Sequence, residues 1–232
     1  MFKLIELEWR KLERRKVIGE AVIYWVILMV MPFFFLRVVF KDDSVNAFGD
    51  SYNAAMGLML PIQLGCLLFG ASLINHVFIE PYKNKTMALS FGYPLSRQRL
   101  VMAKVLFIAL ATMICALVSF VLAGSATYVL DLMFDIIDGV PSMTDFAAYA
   151  GRMVIHSIVI TLASLIPLFW FGIWRRAVIP TVICAIVLMQ SPTVLSMLGI
   201  SLNMDYLYAI VSLLGIGSVL LSVKLIYKFG DL

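Results

Sequence analysis

Charged side chains and histidines are scarce in this sequence. Only 14% of its 232 residues are Asp, Glu, Lys or Arg, whereas soluble domains contain about 25%. Hydrophobic residues make up 62% of the chain, and its mean hydropathy is +1.00. This balance excludes a soluble globular domain and indicates a membrane protein.

The sequence also lacks the motifs of the common nucleotide and metal sites. Neither a Gly-x4-Gly-Lys-Ser/Thr loop nor a Gly-x-Gly-x-x-Gly loop occurs, and both are needed to cradle phosphates in their families. The nearest approach to a His-Glu-x-x-His motif is His76 with Glu80, one turn apart, and the second histidine, His156, is far along the chain. We therefore expect no catalytic residue, no metal and no cofactor bound by this chain, and we do not expect an enzyme.

Cysteine is rare as well. Cys66, Cys115 and Cys184 all fall inside apolar runs. A buried free cysteine behaves as a small apolar residue, so we expect these three to pack in the interior rather than to form a disulfide.

The apolar residues form continuous runs that are long enough to cross a bilayer. A spanning helix needs about 20 mostly apolar residues, and continuous runs of this length do not show the alternation of a membrane β-barrel. We predict an all-α, polytopic membrane protein with a single transmembrane domain over 1–232. Its six spanning helices are predicted at 17–40, 54–78, 100–130, 148–170, 177–198 and 206–226.

The first sixteen residues, 1–16, have the pattern of an amphipathic helix. Phe2, Ile5, Trp9 and Leu12 recur at helical spacing and share one face. Such helices lie in the interface, with Trp at headgroup depth and cations near anionic lipids. We prefer this interpretation, and a solvated cytoplasmic arm remains the alternative.

The distribution of lysine and arginine predicts the orientation. Cytoplasmic flanks of spanning helices carry an excess of these residues. With the N-terminus inside, fifteen of the 18 basic residues fall on the inner side, and eight of the 14 acidic residues fall on the outer side. Both termini are therefore predicted to be cytoplasmic, and the net charge of +4 is explained by membrane anchoring rather than by a nucleic-acid partner.

Polar residues inside spans are costly and are candidate functional residues. Arg152 and His156 are four residues apart on one helical face, and Asp145 is an available ion partner for Arg152. Alternatively, Arg152 snorkels to the outer interface, and His156 forms a hydrogen bond between helices. The candidates for a substrate path are Gln63, Asn75, His76, Arg152, His156 and Gln190.

Several glycines fall within the predicted spans. Small residues let the backbones of membrane helices approach closely. We expect the following residues to lie at contacts between helices rather than to have a chemical role: Gly57, Gly65, Gly70, Ala71, Gly215 and Gly217.

The longest polar stretch between two spans is the loop at 80–99. The stretch and the residues just after it contain five basic residues, Lys83, Lys85, Arg97, Arg99 and Lys104. Pro81 can open a short helix, and Pro94 would end it at about Tyr93. Such a helix would present Met87 and Leu89 to another protein, and a lipid-anchoring basic loop is the alternative.

This stretch resembles the corresponding loop in membrane subunits of ABC exporters of the type-2 permease family. The whole chain is similar to the small Firmicute-type permeases linked to bacitracin and lantibiotic self-protection. Six helices, the inside N-terminus and the amphipathic first segment agree with that family over the whole chain. The resemblance rests on Glu80, Tyr82-Lys83-Asn84-Lys85-Thr86, Leu89, Tyr93-Pro94-Leu95-Ser96-Arg97, Arg99-Leu100 and Ala103-Lys104.

The resemblance implies a function and partners. The loop of that family carries a coupling helix that docks on a separate ATPase subunit, so the matching docking residues would be Tyr82, Lys83, Thr86, Met87 and Leu89. ATP and Mg²⁺ would then be bound by the partner, in two ATPase copies, and a second permease chain, identical or similar, would complete the path. Membrane lipids and a multi-pass location in the bacterial plasma membrane are also implied.

The leading hypothesis is thus the permease subunit of an ATP-driven exporter. Because its spans hold few charges, we expect a hydrophobic or amphipathic substrate such as a peptide antibiotic or a lipid. A membrane scaffold or sensor that binds a partner without transport is the alternative. An ion-driven carrier is the weakest hypothesis, since Glu20 and Glu80 lie only at the edges of spans.

Overall fold

The regular secondary structure of the described residues consists of helices. The structure is a computed structural model that describes residues 2–11, 14–39, 55–84, 97–134, 142–197 and 204–229. All regular elements in these residues are helices, which confirms the all-α prediction. The α-helices are α1 (Phe2–Lys11), α2 (Arg14–Val39), α3 (Met59–Ile74), α4 (Glu80–Lys83), α5 (Arg97–Phe134), α6 (Met143–Ser164), α7 (Val178–Met197) and α8 (Met204–Phe229).

Two π-helical segments interrupt this pattern. The first, Asn75–Ile79, joins α3 to α4 without a break, so that Met59–Lys83 forms one continuous rod. The second, Leu168–Trp174, follows α6 after a turn. Wider π-helical turns are uncommon and are often found at functional sites.

Among the described residues, five helices are long and apolar enough to cross a membrane. The fifth predicted span, 177–198, corresponds to α7, whose apolar stretch Val178–Ser191 is shorter. The number of spans and the side on which each terminus lies therefore stay predictions. The five long candidates are Arg15–Phe34, Met59–Lys83, Gln98–Phe134, Met143–Trp174 and Tyr206–Leu225.

Some predicted boundaries differ from the structure. Within the segment 1–16, predicted as one interfacial helix, the structure describes α1 at Phe2–Lys11 and the beginning of α2 at Arg14, and residues 12 and 13 lie outside the described residues. The helix of the third span, predicted at 100–130, extends over Arg97–Phe134, beyond both predicted ends. The polar loop predicted at 80–99 begins later, because Glu80–Lys83 is helical and Pro81 lies in the first turn of α4, where proline is tolerated.

The Met59–Lys83 rod lies at the centre of the domain. Of the residues in its apolar window, 56% are buried, against 22% for those of α2 and of α8. α3 contacts α2, α5, α6 and α7. The rod therefore links most of the spanning helices through one element.

Two glycines mark close helix crossings, as the sequence predicts. A β-carbon at Gly65 would lie 1.9 Å from the ring of Tyr24, and one at Gly215 would lie 2.1 Å from the carbonyl oxygen of Leu162. Gly70 is similarly close to a side chain of α6. A β-carbon at Gly217 would meet no described atom within 4 Å, so this glycine does not serve a close crossing.

Candidate functional site

Polar side chains from several helices converge at the α4 end of the rod. They come from α1, α2, the rod itself, α5 and the connection between α6 and α7. We refer to this group as the polar joint. It consists of Glu8, Glu20, Ser72, His76, Glu80, Tyr82, Lys104 and Arg176.

Lys104 and Glu8 form a buried ion pair in the polar joint. The Lys104 Nζ lies 3.5 Å from a carboxylate oxygen of Glu8, and the two side chains are 3% and 10% exposed. A charge removed from water to this extent is tolerated only when an opposite charge or hydrogen bonds compensate it. The pair therefore ties α1 to the beginning of α5.

Lys104 also holds the π-helical segment of the rod. Its Nζ donates a hydrogen bond of 2.7 Å to the carbonyl oxygen of Val77. Pro81, four residues after Val77, has no amide hydrogen, so the ordinary α-helical bond to this carbonyl cannot form. The same ammonium group lies 5.5 Å from the centre of the Phe78 ring, within the range of a cation–π interaction. One ammonium group thus connects α1, α5 and the rod.

His76 connects the rod to α2. Its Nδ1 lies 2.9 Å from Glu80, and its Nε2 lies 3.6 Å from Glu20. The hydroxyl of Ser72 donates a hydrogen bond of 2.6 Å to the other carboxylate oxygen of Glu20. A protonated imidazole can donate to both carboxylates, whereas a neutral imidazole has only one N–H to donate. His76 therefore links a carboxylate of its own rod to a carboxylate of α2.

Arg176 is the member of the polar joint that lies in the connection between α6 and α7. Its guanidinium carbon lies 4.2 Å from the centre of the Tyr82 ring. Its φ angle of 52° is in the left-handed region, which is unfavourable for residues other than glycine. A strained residue persists only where the surrounding structure fixes it. The contact with Tyr82 fixes the arginine side chain here.

The predicted coupling residues fall at or beyond this end of the rod. Tyr82 is half-buried under Arg176, and Lys83 is exposed at the last turn of α4. Thr86, Met87 and Leu89 lie outside the described residues. The structure therefore places the beginning of the predicted coupling stretch at the polar joint.

The predicted substrate-path residues do not meet at one place. His76 belongs to the polar joint, whereas His156 lies between the rings of Phe120 and Tyr208, with centroids 6.4 and 5.4 Å away. These neighbours belong to α5 and α8, which favours the interpretation of His156 as a contact between helices. Gln63 and Asn75 are half-buried along the rod, and Arg152 and Gln190 are exposed.

Two cavities are described, and none of the six predicted path residues lines either of them. One lies beside α1, between α2 and α5. The other lies between the distant ends of α2 and α5. The prediction of a path through these six side chains thus gains no support from the cavities.

The sequence interpretation missed the role of Glu8 and Lys104. A usable signal was present, because Glu8 follows Ile5 by three residues and thus falls on the apolar face of α1. An acidic residue on a buried face needs a cationic partner. Its partner could not be identified from local spacing, since Lys104 lies in a different helix far along the chain.

The chain is similar to known membrane proteins over most of its length. The model of a family described as ABC-2 family transporter protein matches residues 4–192. A protein of Bacillus subtilis (strain 168), described as uncharacterized protein YcbO, is 29% identical over 187 residues, which cover 81% of this chain and 81% of that protein. No solved structure matches the chain.

Proposed function

The chain belongs to the ABC-2 family of transporter proteins, and from this premise we propose that it is the permease subunit of an ATP-driven exporter. In this proposal a separate ATPase subunit binds ATP and Mg²⁺ and supplies the energy. The permease contributes the spanning helices that move. Both of its termini face the cytoplasm of a bacterium, and six helices cross the plasma membrane.

The polar joint is the observation that carries this proposal. An ATPase docked on Tyr82, Lys83 and the residues that follow would act directly on the end of the Met59–Lys83 rod. Because Lys104 contacts Glu8 and the Val77 carbonyl, displacement of the rod would also displace α1 and α5. The contact of His76 with Glu20 extends the displacement to α2.

The proposed assembly contains two ATPase copies and a second permease chain, because a single bundle of six helices rarely encloses a path. The proposed substrate is a hydrophobic or amphipathic compound such as a peptide antibiotic or a lipid. This class is supported by the low content of charged residues, 14% of the chain. It is further supported by the resemblance to permeases of antibiotic self-protection.

Co-purification with the candidate ATPase tests the proposal. Met87→Asp would place a charge in the predicted docking surface, and we expect it to abolish assembly and the stimulation of ATP hydrolysis. Met143→Asp is a matched control, because Met143 is 86% exposed and lies at the opposite end of the spanning helices. Equal assembly and hydrolysis in both variants would contradict the docking role.

Vesicles that contain the assembled complex test transport itself. ATP added on the ATPase side should drive accumulation of a fluorescent amphipathic peptide on the other side, and a variant of the ATPase that cannot hydrolyse ATP should not. Assembly and ATP hydrolysis without any flux would instead support the scaffold or sensor function.

A further inference from the structure

A groove of about 530 Å³ runs along the domain beside α1. Residues of α2 line it from Val17 to Trp25, and residues of α5 line it from Phe107 to Cys115, with Ala111 between them. Among the described residues that line it, Glu6 of α1 is the only charged one. Trp9 of α1 contacts Phe107, so α1 lies at the Phe107 end of these walls. The groove is therefore apolar, with its polar end at α1.

The dimensions of the groove suit a long, thin apolar ligand. From Val17 to Trp25 and from Phe107 to Cys115, each wall extends over eight helical steps, or about 12 Å at the rise of an α-helix. Its volume falls in the range of roughly 300–1,000 Å³ found for ligand pockets.

The groove opens sideways between two helices that are long and apolar enough to span a membrane. Its rim residues Ile18, Leu110 and Ile114 are 47%, 47% and 58% exposed. A side opening between such helices faces lipid, so an acyl chain can enter without crossing a polar barrier.

The polar end of the groove favours a negatively charged headgroup. Arg10 lies 2.7 Å from the carboxylate of Glu6 and compensates its charge, just as Lys104 compensates that of Glu8. Arg15 and Lys16 are exposed at the beginning of α2. Residues 1–16 contain twice as many basic as acidic residues. Basic residues of this kind at a membrane surface attract anionic lipids.

We propose that this groove binds one acyl chain of an anionic membrane phospholipid, whose headgroup lies near Arg10 and the basic residues at the beginning of α2. The acyl chain fills the space between α1, α2 and α5 and holds α1 against the domain. The ring of Trp9 already contacts that of Phe107, with centroids 6.0 Å apart, so the lipid extends an existing contact. This lipid site does not depend on the proposed export function.

Native mass spectrometry of the full chain with defined lipids tests the site. The probes are phosphatidylglycerol and phosphatidylcholine with identical acyl chains. We expect one phosphatidylglycerol per chain to be retained in preference to phosphatidylcholine. Ala111→Phe should weaken this retention about tenfold, because a phenyl ring displaces roughly two methylene groups of the chain.

Ala126→Phe is the matched control. Ala126 lines the second cavity, of about 550 Å³, between the distant ends of the same two helices, where no cluster of basic residues is present in the described part of the chain. Retention should be unchanged in this variant. Equal losses in both variants, or equal retention of the two lipids, would overturn the proposal.

A second measurement does not depend on the folding of Ala111→Phe. Trp170 and Trp174, which are not part of the groove, are replaced by phenylalanine so that Trp9 and Trp25 report alone. Phosphatidylglycerol with brominated chains should then quench the fluorescence with saturation at one lipid per chain, and Arg10→Gln should weaken this binding. Trp9→Phe/Trp25→Phe, which leaves the other two tryptophans, should show no saturation. Quenching that rises linearly in both proteins would refute a defined site.

Discussion

The ammonium group of Lys104 lies 3.5 Å from the carboxylate of Glu8, and both side chains are almost completely enclosed. This pair joins the first helix of the chain to the helix that follows the predicted coupling stretch. Because Lys104 also donates to the carbonyl of Val77, the two outer elements are fixed to the central rod. Movement of the rod therefore cannot leave α1 and α5 in place without breaking the buried hydrogen bond between Lys104 and the Val77 carbonyl.

Removal of either charge should strongly destabilise the protein. Lys104→Met removes the cation that faces the buried Glu8 carboxylate, and Glu8→Leu or Glu8→Gln removes the anion that faces Lys104. Loss of one member of a buried pair typically costs about 3–5 kcal/mol, whereas replacing both members by apolar residues costs much less. We expect Lys104→Met/Glu8→Leu to be more stable than the sum of the single changes predicts. The free energy of unfolding in detergent, measured as a double-mutant cycle, tests this.

The Glu6–Arg10 pair of the same helix is the control for this cycle. Its side chains are 58% and 65% exposed, and exposed pairs contribute roughly 0–1 kcal/mol. Glu6→Gln should therefore change the unfolding free energy by less than about 1 kcal/mol. If Glu6→Gln and Glu8→Gln lower the free energy of unfolding by similar amounts, the burial of the Glu8–Lys104 pair does not determine its contribution to stability.

Gly215→Ala should disturb the crossing of α6 and α8. The new methyl group would lie 2.1 Å from the carbonyl oxygen of Leu162, and a backbone atom cannot move aside by changing a rotamer. Such overpacking costs roughly 1–3 kcal/mol. Gly217→Ala, two residues later in the same helix, meets no described atom within 4 Å and should be neutral. Thermal unfolding in detergent compares the two variants, and equal midpoints would contradict the close crossing.

Two effects at Arg176 can be measured separately, namely the contact of its side chain with Tyr82 and the strain of its backbone. Arg176→Ala loses the contact with Tyr82 and keeps the unfavourable left-handed φ of 52°. Arg176→Gly loses the same contact and relieves the strain, which is about 1–2 kcal/mol for a residue with a β-carbon. We expect the glycine variant to be more stable than the alanine variant by about 1 kcal/mol.

The neighbouring Arg175 provides the control for these variants. It is exposed and has an ordinary φ angle of −85°. Arg175→Gly should therefore be no more stable than Arg175→Ala. If glycine is not favoured over alanine at position 176, the strain assigned to this residue is absent.

The helices could be predicted from sequence because membrane spans are local features. A continuous apolar run of sufficient length forms a helix in a bilayer regardless of its neighbours, since every backbone hydrogen bond must be satisfied internally. This is why five of the six predicted spans correspond to long apolar helices. The close approaches at Gly65 and Gly215 could be predicted for a similar reason, because small residues in spans have few other uses.

The polar joint could not be predicted, because it depends on tertiary packing. The sequence places Glu8, His76 and Lys104 on their helices and gives their charge. It does not say which of the many possible partners each one meets. The π-helical segment was also missed, since the composition of Asn75–Ile79 is compatible with an ordinary α-helix. Its one local signal is Pro81, which removes an amide hydrogen one turn later.

Cysteine labelling from one side of the membrane tests the six-span topology. In a Cys184→Ser background, we expect a membrane-impermeant maleimide added outside whole cells to label Met143→Cys and Met197→Cys. It should not label Lys83→Cys or Lys224→Cys until the cells are opened. Met143 and Met197 are 86% and 82% exposed, and Lys83 and Lys224 are also exposed, so access to the reagent depends on the side of the membrane.

The pair Met197→Cys and Lys224→Cys decides whether α7 crosses the membrane. α7 has 20 residues, about 30 Å in length, which matches the hydrocarbon thickness of about 30 Å. If α7 does not cross the membrane and only its shorter apolar stretch enters it, the chain has five spans. The outside reagent then labels Lys224→Cys and does not label Met197→Cys. Met143→Cys and Lys83→Cys keep their labelling in both cases and report the orientation independently. Labelling of Lys83→Cys from outside would reject the docking of an intracellular ATPase at this end of the rod, whichever number of spans is found.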